Sequence, residues 1–307
     1  MTSAPLPGPV PSTRHILLPL TAVVLAVFAW ASAFVVIRSA GDAFSAGALA
    51  LGRLLVGSLA LGLLLLARRR WVAPSRREWL LVVGCGLAWF ALYNIALNAA
   101  EQRVDAGTTA MLVNIGPLLI AVFAGLWLGE GFPRWLVVGM VVAFLGVLLI
   151  GVSTANTAEA DVAGVLFAVV AAVTYAAGVV LQKPILRRLP ALQVTWLACT
   201  IGTVACLPAA ATLASELVDA SADRITGLLY LGLVPTALAF SAWAYALARM
   251  NAGKLSVTTY LVPPLTVLMA WLLLDEVPTV LALAGGVVCL VGVGLSRRRP
   301  HPAAAVR

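Results

Sequence analysis

Apolar residues occupy ten runs along the chain, at 16–37, 44–66, 79–98, 108–128, 135–150, 162–181, 192–213, 225–247, 255–274 and 280–295. Most approach the length of about 20 residues that a helix needs to cross a hydrocarbon core of about 30 Å. The segments between them are short and carry the proline, glycine and charged residues, which leaves no room for an extramembrane domain larger than a loop. The pattern predicts an all-α integral membrane protein of ten transmembrane helices. The first run contains Ala31-Ser32-Ala33, the small-x-small pattern of a signal-peptidase site, but it continues to Ile37 and exceeds the apolar core of a signal peptide. It is expected to remain as a span.

Composition agrees with this reading and removes others. Of 307 residues, 62% are hydrophobic and 10% charged, with a mean hydropathy of +1.04. Soluble domains carry roughly 25% charged residues, and disordered chains are less apolar still, so both classes are excluded. A net charge of +8 would suit nucleic acid, except that the cations sit between apolar runs. With the N-terminus inside, sixteen of the twenty fall on the cytoplasmic side: Arg14, Arg68–Arg70, Arg76, Arg77, Arg134, Lys183, Arg187, Arg188, Arg249, Lys254, Arg297–Arg299 and Arg307. Arg38, Arg103 and Arg224 fall outside, and Arg53 lies within the second run. Both termini are therefore expected in the cytoplasm, in a multi-pass protein of the cell membrane. Four cysteines inside apolar runs, with no CxxC spacing, imply neither a disulfide framework nor a metal site, and no cofactor is expected.

A shift of 146 residues lays Arg103 over Arg249, Ala106-Gly107 over Ala252-Gly253, Pro117 over Pro263, Glu130 over Glu276, Gly139 over Gly285 and Gly146 over Gly292. Two five-helix repeats result, at 16–151 and 162–296, flanked by cytoplasmic tails at 1–15 and 297–307. Because five is odd, the second repeat enters the membrane from the opposite side, which defines inverted-topology repeats. Such halves can exchange conformations at comparable energy around a ligand site near the midplane.

The segment YLVPPLTVLMAWLLLDEVPTVLALAGGVVCLVGVGL (260–295), its partner NIGPLLIAVFAGLWLGEGFPRWLVVGMVVAFLGVLL and the run LLYLGLVPTALAFSAWAYALARM (228–250) resemble EamA-type members of the drug/metabolite transporter superfamily. The spacing of Pro117 to Glu130 recurs in Pro263 to Glu276, each beside a proline-containing turn at Pro133 and Pro278. The resemblance implies a bundle that exports small metabolites, amino acids or drugs, with the path formed by the first, third and fourth helices of each half. A lipid-carrier flippase on the same fold is the alternative, for which Arg53 alone speaks. An intramembrane enzyme would need a catalytic constellation, and none is present; neither a Walker A sequence nor a repeated filter sequence occurs.

Candidate substrate-binding residues are the polar and aromatic side chains inside the runs, because each costs insertion energy unless it faces protein or water. Tyr93, Asn94 and Asn98 belong to the third run, with Asn94 and Asn98 one helical turn apart. Asn114 precedes Pro117, and Thr259 and Tyr260 precede Pro263-Pro264, so proline frees carbonyls at matching places in both halves. These prolines are the candidate gating positions. Trp30 and Tyr175 correspond at an offset of 145 residues, and Ser241 and Trp243 add weaker candidates in the eighth run. Arg53 reads as a structural charge ahead of an anion site, since its sequence neighbours are apolar. No acid lies deep in a run and both histidines lie outside, which favours facilitated diffusion over proton antiport. Gly139 with Gly146, and Gly285 with Gly292, place small faces on the fifth and tenth helices. They suit close packing, or a homodimer through those two helices.

Overall fold

A computed structural model describes residues 13–40, 43–103, 109, 112–154, 161–274 and 279–298, and within them the chain is helical with no strand. Ten rods follow in order: α1 Thr13–Ala40, α2 Ala46–Arg68, α3 Arg76–Glu101, α4 Gly116–Trp127, α5 Arg134–Thr154, α6 Val162–Ile185, α7 Ala191–Asp219, α8 Ala222–Leu247, α9 Ala252–Leu273 and α10 Val280–Ser296. Eight are long and apolar enough to cross a membrane, and α4 and α10 are shorter apolar helices of 12 and 17 residues. The outward faces are apolar, as at Leu59, Leu63, Val141, Leu145, Leu283 and Val287, which water would penalise and lipid accepts. Ala106, Gly107, Glu276 and Pro278 of the repeat pattern lie outside the described residues.

Short connections make successive rods antiparallel, so the loops gather at two ends. At the basic end, the loop after α2 is clamped to the first turn of α7 and to the loop that precedes it. Gln193 accepts from the Val72 N–H at 3.0 Å and donates to its carbonyl at 2.6 Å. Arg188 donates to the Ala73 carbonyl and to Glu78, whose carboxylate also closes a capping box with Ser75 at the start of α3. At the opposite end, Asn98 donates to the Ala46 carbonyl at 3.0 Å, Gln102 to that of Phe44 at 3.2 Å, and the Glu216 carboxylate accepts from the Ser45 N–H. Arg103 pairs with Asp161 at 3.0 Å, which, with the Ala163 N–H, holds that carboxyl below its usual range. Asp161 thereby caps α6.

α5 and α10 form the most intimate helix pair. A Cβ on Gly146 would stand 2.6 Å from the Gly285 carbonyl oxygen, and one on Gly285 would stand 2.7 Å from that of Gly146. The two small faces meet each other within one chain, and Cys289 donates to the Ala143 carbonyl across the seam at 3.4 Å. This close backbone approach accounts for the glycine pattern without a second copy. Pairing of two chains through these helices would have to use their outer faces.

Candidate transport site

The repeat shows in backbone irregularity as well as in sequence. α3 and α8 each pass through a π-helical segment, Gly86–Leu92 and Gly232–Leu238, 146 residues apart at both ends. A π turn displaces the i→i−4 ladder and leaves carbonyls to be satisfied by other donors. Asn94 supplies one, its amide donating to the Phe90 carbonyl at 2.8 Å. In the other half Thr236 donates to the Leu231 carbonyl at 2.8 Å, and the Trp30 indole N–H reaches the Pro235 carbonyl at 3.2 Å.

The fourth and ninth rods are interrupted too. Asn114 and Ile115 form a turn ahead of Gly116–Trp127, with Pro117 in its first turn. In α9 a 3-10 segment, Val257–Leu261, separates Ala252–Ser256 from Val262–Leu274, which opens with Pro263-Pro264. Local hydroxyls take up carbonyls there: Thr259 donates to Ser256 at 2.7 Å and Thr258 to Leu255 at 2.6 Å. Ser256 also donates to the Pro117 carbonyl at 3.3 Å, joining the two interruptions across the pseudo-symmetry.

Between these irregular segments lies a cavity of about 670 Å³, counting its open mouth. α1 contributes Trp30, Ala33, Phe34 and Ile37, α2 contributes Arg53, and α3 contributes Trp89, Tyr93 and Leu97. Val113 and Asn114 come from the stretch before α4, Tyr175 from α6, Phe240 from α8, and Thr259 and Val262 from α9. Ile37, Leu97 and Asn114 belong to the turns nearest the end that holds Phe44 and Arg103, whereas Trp30, Trp89, Tyr175 and Thr259 sit at mid-depth. The cavity thus runs from the middle of the bundle toward the less basic end. Its rings form a continuous array, edge-to-face from Trp30 to Trp89 at 6.4 Å and from Trp89 to Phe240 at 4.9 Å, and tilted from Trp89 to Tyr175 at 5.4 Å and from Tyr175 to Tyr93 at 5.9 Å.

The basic end is shut. Trp243, fully buried, packs 5.0 Å from Trp30 beneath the cavity floor. Farther out, Lys183 donates to the carbonyls of Leu247 and Met250 at the end of α8. The Glu130 carboxylate accepts from the N–H groups of Ala252 at 2.7 Å and Gly253 at 3.0 Å, the first turn of α9. Gly129 and Gly131, at φ of 69° and 67°, turn the chain on either side of Glu130 in a way that side chains with a Cβ resist. This contact crosses from the first repeat to the second.

The EamA-like transporter family matches residues 17–152 and 162–298, the two halves separately. The chain belongs to this family. It is 35% identical over 91% of its length to a probable terminal-alkyne amino-acid exporter of Streptantibioticus cattleyicolor, covering 93% of that protein. It is 32% identical to an uncharacterized transporter, YdfC, of Bacillus subtilis, with 86% of each chain covered. A probable amino-acid metabolite efflux pump of Salmonella typhimurium is 26% identical over 72% of this chain and 78% of its own. A crystal structure superposes with a TM-score of 0.74 at 19% identity, covering 92% of this chain and 98% of that one, which shows the shared fold. The protein is accordingly a multi-pass membrane transporter of the EamA type.

Of the residues singled out from sequence, Trp30, Tyr93, Asn114, Tyr175 and Thr259 line the cavity of this EamA protein. The others do not. Asn94 is spent on the π segment of α3 and Asn98 on the start of α2. Tyr260 faces away, into the cluster between α5 and α10, where Phe144 lies 6.4 Å from it and Cys289 and Val293 pack beside it. Trp243 and Ser241 lie off the wall, and Pro117, Pro263 and Pro264 shape the helices without touching the cavity. Trp89 and Phe240 are wall residues that sequence reasoning passed over. Their signal was a large aromatic in the middle of the third and eighth runs, which interface anchoring does not explain.

Arg53 also stands on the wall. It is 4% exposed, and its Nε donates to the Thr236 hydroxyl in the π segment of α8 at 3.2 Å. Glu101, remote in sequence, acts on it electrostatically from the last turn of α3.

Proposed function

We propose that the protein is a secondary exporter of small amino-acid-type metabolites, working by alternating access across the cytoplasmic membrane with both termini inside. The observation that carries this reading is the asymmetry of the cavity. It reaches toward one end of the bundle, while the other is closed by the Glu130 contact between the two repeats. Halves of like sequence can interchange such conformations at similar energy, so an outward-facing and an inward-facing form are both accessible. The positive-inside rule supports a cytoplasmic position for the closed, arginine-rich end. The relatives named as exporters of amino-acid compounds support the cargo class. Among the described residues that line the cavity none is acidic, which supports facilitated diffusion over proton antiport.

The test is counterflow in proteoliposomes loaded with a panel of amino acids and related metabolites. Trans-stimulated uptake of at least one compound, insensitive to an imposed pH gradient, is expected. Absence of flux for the whole panel, with the protein inserted and monodisperse, refutes the exporter reading. Flux that collapses with the pH gradient refutes facilitated diffusion.

A further inference from the structure

Resting on the reading that this cavity is the transport path, we propose that Arg53 is a carboxylate anchor within it. The cargo is then a small carboxylate, amino acids included, whose apolar or aromatic body sits against the ring array. A guanidinium has five N–H donors in a planar fork that matches a carboxylate in bidentate fashion. Only Nε is bonded here, to Thr236, and no other hydrogen bond of the group is present among the described residues. An arginine that merely braced helices would be expected to spend its donors on carbonyls, since a desolvated cation costs several kcal/mol unless compensated. Instead the residue is buried at the cavity wall with one edge of the fork held by Thr236.

The opposite partner of the ligand is equally well defined. Trp30, Trp89, Tyr175 and Phe240 give an apolar wall at mid-depth, the kind of lining against which small-molecule sites set a few placed polar groups. Glu101 offsets part of the arginine charge without lining the cavity, so attraction is moderated and release stays possible. A head group with a carboxylate and a body with a π-face or aliphatic surface satisfies both features at once. A cationic amine satisfies only the rings.

The experiment is radioligand binding to the purified full-length protein in lipid nanodiscs, using L-phenylalanine, 3-phenylpropanoate and phenethylamine as probes. Both carboxylates are expected to bind and to compete with each other, while phenethylamine does not. Arg53→Gln weakens both carboxylates at least tenfold, and Arg53→Lys recovers part of the loss. Binding of phenethylamine as tight as that of 3-phenylpropanoate overturns the proposal even if Arg53→Gln fails to fold. Unchanged carboxylate affinity in a folded Arg53→Gln protein overturns it as well. If Trp30→Ala then abolishes binding, the cavity survives as the path and only the anchor is lost. If neither substitution matters, the cavity reading itself fails.

Discussion

Removing the Glu130 carboxylate should release the closed end of the bundle. In Glu130→Ala the N–H groups of Ala252 and Gly253 lose acceptors at 2.7 and 3.0 Å, and the first turn of α9 loses its counter-charge. Hydrogen bonds to a charged group contribute about 1.5–3 kcal/mol and a favourable charge at a helix start about 0.3–1 kcal/mol. The contact is part-buried, and water replaces some of it when the end opens, so about 2 kcal/mol of preference for the closed form is a reasonable figure. That corresponds to a roughly 30-fold rise in the open population. A Ser256→Cys reporter reads it, because Ser256 is fully buried beneath the contact. The four native cysteines, all buried, serve as the blank. Labelling of inside-out vesicles by a membrane-impermeant maleimide should accelerate by about that factor in Glu130→Ala, and by several-fold in Glu130→Gln, which keeps a neutral acceptor. An unchanged rate in Glu130→Ala, with the protein still folded, would refute the idea that this contact holds the end shut.

Two further outcomes follow from packing and polar satisfaction. Gly292→Val forces α5 and α10 apart, since a Cβ there already meets the backbone of Ala143 and stands 2.6 Å from the Gly139 carbonyl oxygen. Thermal unfolding in detergent should register a loss of about 1–3 kcal/mol or more, whereas Gly294→Val, where nothing lies within 4 Å, should be nearly neutral. Asn94→Leu leaves the Phe90 carbonyl of the π segment without its amide donor, and a loss of about 1–2 kcal/mol is expected in the same assay. A melt equal to that of the parent would show that the π turn needs no side-chain support.

The architecture was legible because a membrane imposes its demands locally. Each span must carry its own run of apolar residues and satisfy its own backbone, so ten runs and a repeat of 146 residues suffice to indicate ten helices in two halves. The glycine pairs were legible in the same way, as small faces that let α5 and α10 approach, although that both belong to one seam required the packing. Proline likewise announced the interruptions of α4 and α9, since its missing N–H acts within its own turn.

What the sequence left undecided is which side of each helix faces the cavity. Tyr260 and Thr259 are adjacent in the chain, yet Thr259 lines the cavity and Tyr260 fills the seam between α5 and α10. Asn94 and Tyr93 divide in the same manner, one healing the π turn and the other on the wall. Neither π segment has a proline or glycine signature that recurs in both halves at its centre, where Trp89 stands opposite Pro235. A π turn rotates everything beyond it by a fraction of a turn, so side-chain directions read on a 3.6-residue period go astray there. Arg53 shows the limit best. In sequence it is a charge among leucines, and only the packing of α2 against α3 and α8 brings Glu101 into range, ties Nε to Thr236 and sets the guanidinium on the cavity wall. Span count, repeat and interruptions follow from what each segment must do for itself in lipid, whereas the cavity and its chemistry depend on helix rotations that only ten helices packed together can determine.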